Sequence, residues 1–202
     1  MIREAGLRVA LSLAALSLVA CARQVRTSIP SDAAKLAQQT ARESMLAARV
    51  DWSLVGRLGV SDGHDSGSGS LEWKQQASMF RFSVHAPVTG KTWVLSGDDT
   101  HARLDGLRER PIEGDEAASL LRRELGWEVP VAELRYWVRA QRAPGTAIIE
   151  FRDDGLPALI IQAGWTVRYL DYDLAQAPPL PSKVFATRGD RKVRLAVREW
   201  GP

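Results

Sequence analysis

The stretch that decides the fold is Ser70-Leu71-Glu72-Trp73-Lys74-Gln75-Gln76-Ala77-Ser78-Met79-Phe80-Arg81-Phe82-Ser83-Val84-His85. Leu71 and Trp73 alternate with Ser70, Glu72 and Lys74. After a short break, Phe80, Phe82 and Val84 alternate with Arg81, Ser83 and His85. A period of two puts the apolar set on one face of a strand and the polar set on the other. Two such runs in succession predict adjacent antiparallel strands with one face toward a core.

The same period extends in both directions. Upstream, Trp52, Leu54, Leu58 and Val60 share a parity, with Gly56 among them allowing a bend. Ser61 to Ser68 reads as a turn. Downstream, Lys91–Ser96 reads as a strand and Ala102–Arg110 as a hairpin around Asp105-Gly106. Further strands are expected at Ala147–Arg152, Leu156–Gln162, Trp165–Leu170, Lys183–Thr187 and Lys192–Glu199. Between the two groups the period becomes helical. Gly114-Asp115 is read as the cap of a helix carrying Ala117, Leu120, Leu121 and Leu125, stopped by Gly126. Pro130 opens another, with Val131, Leu134, Trp137 and Val138 on one face and Glu133, Arg135 and Arg139 away from it. A first helix is expected from Ser31-Asp32 to about Arg49, with Leu36, Met45, Leu46 and Val50 as a weak apolar face lying along something larger.

About ten short strands with helices set between two groups predict a mainly β, α+β fold. A single antiparallel sheet that long curls into an open, incomplete barrel, with the helices as a lid over its open side.

The amino terminus says where the domain lives. Val9–Ala20 is a 12-residue apolar run after Arg3 and Arg8. That is shorter than the ~20 residues of a membrane-spanning helix. It reads as a secretory signal over residues 1–20. Leu18-Val19-Ala20-Cys21 resembles the lipobox of bacterial lipoproteins, which implies cleavage before Cys21 and lipidation of its thiol and amine. Cys21 is the sole cysteine, so no internal disulfide competes for it. Ala22 is not the aspartate that retains enteric-type lipoproteins in the inner membrane, so the resemblance implies the outer membrane, periplasmic side. Residues 21–30 are polar and aperiodic and read as a tether; residues 31–202 are expected to form one domain.

Composition excludes more than it selects. Loss of Arg3, Arg8 and Glu4 leaves two fewer than the 27 basic residues and one fewer than the 24 acidic, a net +2 instead of +3. Dispersed charge of that size does not argue for nucleic acid. Seven tryptophans suit core corners and lipid-contacting surfaces alike. His64, His85 and His101 have no metal-ligand spacing, and no nucleophile elbow or phosphate-cradling loop is present. No cofactor, metal or catalysis is expected. An esterase-like reading would need one of these histidines beside a serine and a carboxylate.

The connector Ala86-Pro87-Val88-Thr89-Gly90 places an apolar side chain near the tip of a turn. From residue physics alone Val88 either tucks into the core or stands out as an apolar finger.

The chain is similar to the LolB family of outer-membrane lipoproteins. The resemblance is carried in order by Cys21, Gly56-Arg57, Trp73-Lys74-Gln75, Ala86–Gly90, Leu125-Gly126-Trp127-Glu128-Val129-Pro130-Val131, Leu134-Arg135-Tyr136-Trp137-Val138, Gln162-Ala163-Gly164-Trp165, Tyr169, Tyr172 and Leu180-Pro181. It implies an open antiparallel barrel with a helical lid and an apolar cavity. It also implies receipt of acylated lipoproteins from a LolA-type periplasmic carrier and their insertion into outer-membrane lipid. The loop bearing Pro87, Val88 and Gly90 would carry membrane release, with valine where the family usually has a larger leucine. Cavity candidates are the apolar parity of the strands, Leu71, Trp73, Phe80, Phe82, Val84 and Leu95, with Trp137 from the lid. Periodicity shows which side faces inward and leaves open whether the inside is empty or packed solid. The domain is expected to be a monomer. Arg122, Arg123, Arg135 and Arg139 are candidates to meet an acidic carrier. The alternative, from another class, is an outer-membrane-tethered structural or assembly lipoprotein that binds a protein partner and no lipid.

Overall fold

The structure, a computed structural model, describes residues 32–87 and 90–202. The expected signal and tether, with Cys21, and the loop residue Val88 lie outside the described residues. In chain order the elements are α1 (Asp32–Ala47), β1 (Asp51–Ser61), β2 (Ser66–Gln76), β3 (Met79–Ala86), β4 (Lys91–Gly97), β5 (Ala102–Asp105), β6 (Ile112–Gly114), α2 (Ala117–Leu125), α3 (Val131–Trp137), β7 (Ala147–Phe151), β8 (Pro157–Gln162), β9 (Trp165–Asp173), β10 (Leu180–Arg188) and β11 (Arg191–Gly201).

All the described strands belong to one antiparallel sheet of order β6-β5-β4-β3-β2-β1-β11-β10-β9-β8-β7. The first and last long strands pair at its centre, Leu58 opposite Leu195. β6 and β7 are its edges, so the barrel stays open. The alternation read from residues 70–85 holds: Trp73 lies opposite both Leu54 and Phe82, Phe82 opposite Leu95, and Leu95 opposite Leu104. That row of apolar side chains crosses five strands on the buried face. Same-face neighbours directly across a strand pair are the unit of sheet stabilisation. Aromatic rings continue it, with Trp52–Trp73 centroids at 4.9 Å and Trp73–Phe82 at 4.4 Å.

Three local readings are corrected. The turn expected over Ser61–Ser68 is shorter, because β2 begins at Ser66. Gly67 is strand, and its missing side chain makes room for the ring of Trp127, which a Cβ there would overlap. The Asp105-Gly106 turn is a wider connection, since Leu107 packs against the core before β6 pairs with β5. The cap of α2 is Glu116, in extended backbone and without a side-chain capping bond, rather than Gly114-Asp115. Its stop is as read: Gly126 sits at φ 72°, its N–H donates to the Arg122 carbonyl, and the next N–H, of Trp127, donates to the Leu121 carbonyl.

The largest correction concerns α1. Leu36, Met45 and Val50 are exposed, and the buried face is Lys35, Gln39, Arg42 and Leu46. This helix docks through polar chemistry. Arg42 donates from Nη1 to the Ala140 carbonyl at 2.9 Å and from Nη2 to the Arg139 and Pro179 carbonyls at 2.8 and 2.7 Å. Gln39 Nε2 donates to the same Ala140 carbonyl at 2.8 Å. Arg139, expected to point away from α3's apolar face into solvent, is buried. It donates to the Leu46 and Arg49 carbonyls and lies over the Trp52 ring at 5.0 Å. Burial, with the Arg42 charge next, pushes Arg139 down to about 10. Glu43 is drawn below its ordinary range: burial opposes this, but bonds from Arg142 and Gln39 outweigh it. These contacts seat α1 on the segment that follows α3.

Candidate functional site

The buried face of the sheet and the two short helices enclose an apolar cavity. β1 contributes Leu58 and Val60, β2 Leu71 and Trp73, β3 Phe82 and Val84, and β4 Trp93 and Leu95. β10 and β11 add Val184, Ala186, Val193 and Leu195 from the other half of the sheet. The cover is Leu121 of α2, Trp127 and Val129 of the α2–α3 connector, and Val131, Leu134 and Val138 from α3 and its end. Every lining residue is leucine, valine, alanine, phenylalanine or tryptophan.

The enclosed space is about 50 Å³. An engineered apolar cavity of about 150 Å³ stays dry and takes up benzene. In this conformation the space is smaller than a benzene-sized cavity, so an acyl chain needs more room than it offers. Three ion-pair groups hold the cover, one of them Arg108 of the β5–β6 connection donating to Glu124 of α2 at 2.7 Å. Glu128 of the connector accepts from Arg188 at 2.7 Å and from Arg191 at 2.8 Å, both at the β10–β11 turn. Arg135 of α3 donates to Asp99 in the β4–β5 connection at 2.7 Å. Partly exposed pairs of this kind contribute little each, ~0–1 kcal/mol, so they fix position without locking it.

Of the residues singled out in the sequence, Leu71, Trp73, Phe82, Val84 and Leu95 line this cavity. Phe80 does not; it lines a neighbouring recess with Asp98, Asp99, Glu116 and Glu133. Trp137 does not either. It is fully buried on the far side of α3, where its Nε1 donates to Gln162 Oε1 at 3.0 Å and its ring lies 6.5 Å from that of Trp165. The same Gln162 side chain bonds both backbone groups of Ala143. Trp137 therefore carries α3 onto β8 and β9 and leaves the cavity side to Leu134 and Val138. The sequence reading missed Trp93, which shares the parity of Leu95, and Trp127, whose place follows only from a contact with Gly67 60 residues away in the chain.

The turn between β3 and β4 is closed by Gly90 N–H donating to the Ala86 carbonyl at 2.9 Å. Pro87 begins it, and a Cβ on Gly90 would meet nothing within 4 Å. The four arginines considered for carrier docking are unequal. Arg122 is exposed, Arg123 pairs with Glu124, Arg135 with Asp99, and Arg139 is inside the domain. The histidines are dispersed: His64 lies in the β1–β2 turn, His85 faces Thr92 Oγ1 at 3.0 Å, and the His101 backbone N–H donates to Asp98 Oδ1. Among the described residues no group of three or more histidine, cysteine or acidic side chains is arranged to hold a metal ion.

The family model described as outer membrane lipoprotein LolB matches residues 50–200. The chain belongs to the LolB family. The matched span runs from the start of β1 to the end of β11, so the whole sheet and its cover are LolB structure. Outer-membrane lipoprotein LolB of Xanthomonas campestris pv. campestris is 40% identical over 168 residues, covering 80% of this chain and 77% of its own. That of Xanthomonas axonopodis pv. citri is 39% identical over 176 residues, covering 84% and 81%. That of Xylella fastidiosa is 34% identical over 180 residues, covering 87% and 83%. As a LolB, the chain is an outer-membrane lipoprotein serving lipoprotein localisation. The open antiparallel sheet with helices over its concave face agrees with the fold that the resemblance implied.

Proposed function

We propose that this protein takes acylated lipoproteins from a LolA-type periplasmic carrier into the apolar cavity and inserts them into the inner leaflet of the outer membrane. It does so while tethered to that membrane through lipidated Cys21, from the periplasmic side. The observation that carries the reading is the cavity itself: 18 apolar side chains around one space under a two-helix cover. Ordinary cores are close-packed, with few voids larger than a water molecule. Exposing acyl chains to water costs ~25 cal/mol per Å² of apolar surface, so a carrier, an acceptor and a bilayer of successively stronger apolar affinity move cargo without a nucleotide. Val88, with Pro87 and Gly90 framing it, is the group that touches lipid at release.

Titration with a fluorescent diacylated peptide tests the acceptor half. Saturable binding of one peptide per chain, competed by palmitate, is expected. A folded protein that binds neither peptide nor palmitate contradicts the reading and leaves the lipid-free, partner-binding lipoprotein.

A further inference from the structure

We propose that Trp127 is the gate through which acyl chains enter and leave the cavity, at the end of the sheet where β3 passes into β4. The inference rests on the acyl-accepting reading and adds the route. The Trp127 ring lines the enclosed cavity on one side. On the other it lines an open recess bounded by Ala86, Lys91, Leu107 and the small residues Ser66, Gly67 and Ser68. It is thus a wall between the two spaces. Val60, Val84 and Trp93 also border both, so moving the indole joins them.

The way the indole is held suits a moving part. Its flat seat is Gly67, whose lack of a side chain admits the ring, and its edge contact is Trp93, with centroids 5.9 Å apart at 65°. It rides on the five-residue connector between α2 and α3, whose first residue, Gly126, is in the left-handed region. Short connectors with a residue that tolerates large φ/ψ change are where closures hinge. The fastening of that connector is the Glu128 pair with Arg188 and Arg191, on the surface and reversible. The second recess, at the opposite end, carries four acidic side chains, Asp98, Asp99, Glu116 and Glu133, against one arginine, Arg135, whereas the Trp127 recess carries Lys91, Lys192 and Arg194. Acidic side chains there oppose the approach of anionic lipid, which favours the Trp127 end as the route.

Stopped-flow uptake of a fluorescent palmitate tests this on the mature chain carrying Cys21→Ala, so that no lipid of its own competes. Trp127→Ala is expected to raise the association rate about tenfold, and Gly67→Ala, whose Cβ displaces the indole, severalfold. Adding Gly67→Ala to Trp127→Ala is expected to change nothing further, since no ring remains to displace. This non-additivity separates gating from general loosening and does not require Gly67→Ala to be stable by itself. Phe80→Ala, which widens the opposite recess, is expected to leave the rate at the wild-type value. Equal rates for Trp127→Ala and wild type, or acceleration by Phe80→Ala alone, overturn the gate while leaving acyl binding intact. A folded wild type that takes up no palmitate overturns the acyl-accepting reading and the gate with it.

Discussion

Val88→Glu is expected to leave the thermal transition and acyl-peptide binding unchanged while stopping delivery of cargo into membranes. In the sequence Val88 lies between Pro87 and Gly90, and the flanking residues Ala86 and Gly90 are joined by a backbone hydrogen bond. Burying a valine side chain in hydrocarbon contributes ~1.5 kcal/mol or more, and an acidic residue deep in a bilayer costs ~2.5–3.5 kcal/mol. The difference, ~4 kcal/mol, is about a thousandfold at 1.4 kcal/mol per decade. Release into liposomes is the measurement, with the loaded acceptor as starting point. Delivery at the wild-type rate removes the finger role. Loss of peptide binding or of the folded state shows instead that Val88 belongs to the core, the other fate its sequence context allows. A larger apolar residue at the same place, Val88→Leu, is expected to release at least as fast as wild type.

Arg42→Ala is expected to have the largest effect on stability. Arg42 is 6% exposed, and its guanidinium donates three bonds to backbone carbonyls, those of Ala140, Arg139 and Pro179. Its removal loses three charge-assisted bonds and deprives the Arg139 and Pro179 carbonyls of this donor, while Ala140 keeps the bond from Gln39. The cost is ~3 kcal/mol or more. For a domain of this size that lowers Tm by roughly 6–12 °C. One term runs the other way: burial and the Arg42 charge together hold Arg139 at about 10, so deleting Arg42 relieves Arg139. Because a folded value below 12.5 penalises the charged form, the penalty from Arg139 is present at neutral pH and fades only as pH rises through 10. Arg42→Lys is expected to recover little, since an ammonium does not span three carbonyls as a planar fork does. Calorimetry decides it. A Tm within 2 °C of wild type for Arg42→Ala shows that α1 is held by other contacts.

Legibility in the sequence divides along physical lines. Period-two alternation over 70–85 identified strands and their inward side, because one face of an antiparallel sheet is buried and the other is wet. The α3 face was equally legible, since Val131, Leu134 and Val138 recur at helical spacing. The face of α1 was not. Hydrophobicity selects Leu36, Met45 and Val50, whereas the helix docks through Gln39 and Arg42, whose partners are carbonyls on a segment about 100 residues away. Arg139 was misplaced for the same reason: a buried cation satisfied by backbone looks, in sequence, like any solvated arginine. Trp137 and Trp127 show the limit within the site. Each is an aromatic on the cover, but Gln162 fixes one away from the cavity and Gly67 seats the other at its edge. Those partners are brought together only by the folded sheet. Family membership was readable from ordered short motifs, none of them specific by itself.

Whether the domain accepts cargo is decided by mixing the domain, lacking Cys21 and everything before it, with a carrier loaded with an acylated lipoprotein. The two are then separated and the cargo is located. Cargo is expected to move onto this domain without nucleotide and to stay there until membranes are added. Cargo that remains on the carrier, with the domain shown to be folded, contradicts the acceptor role.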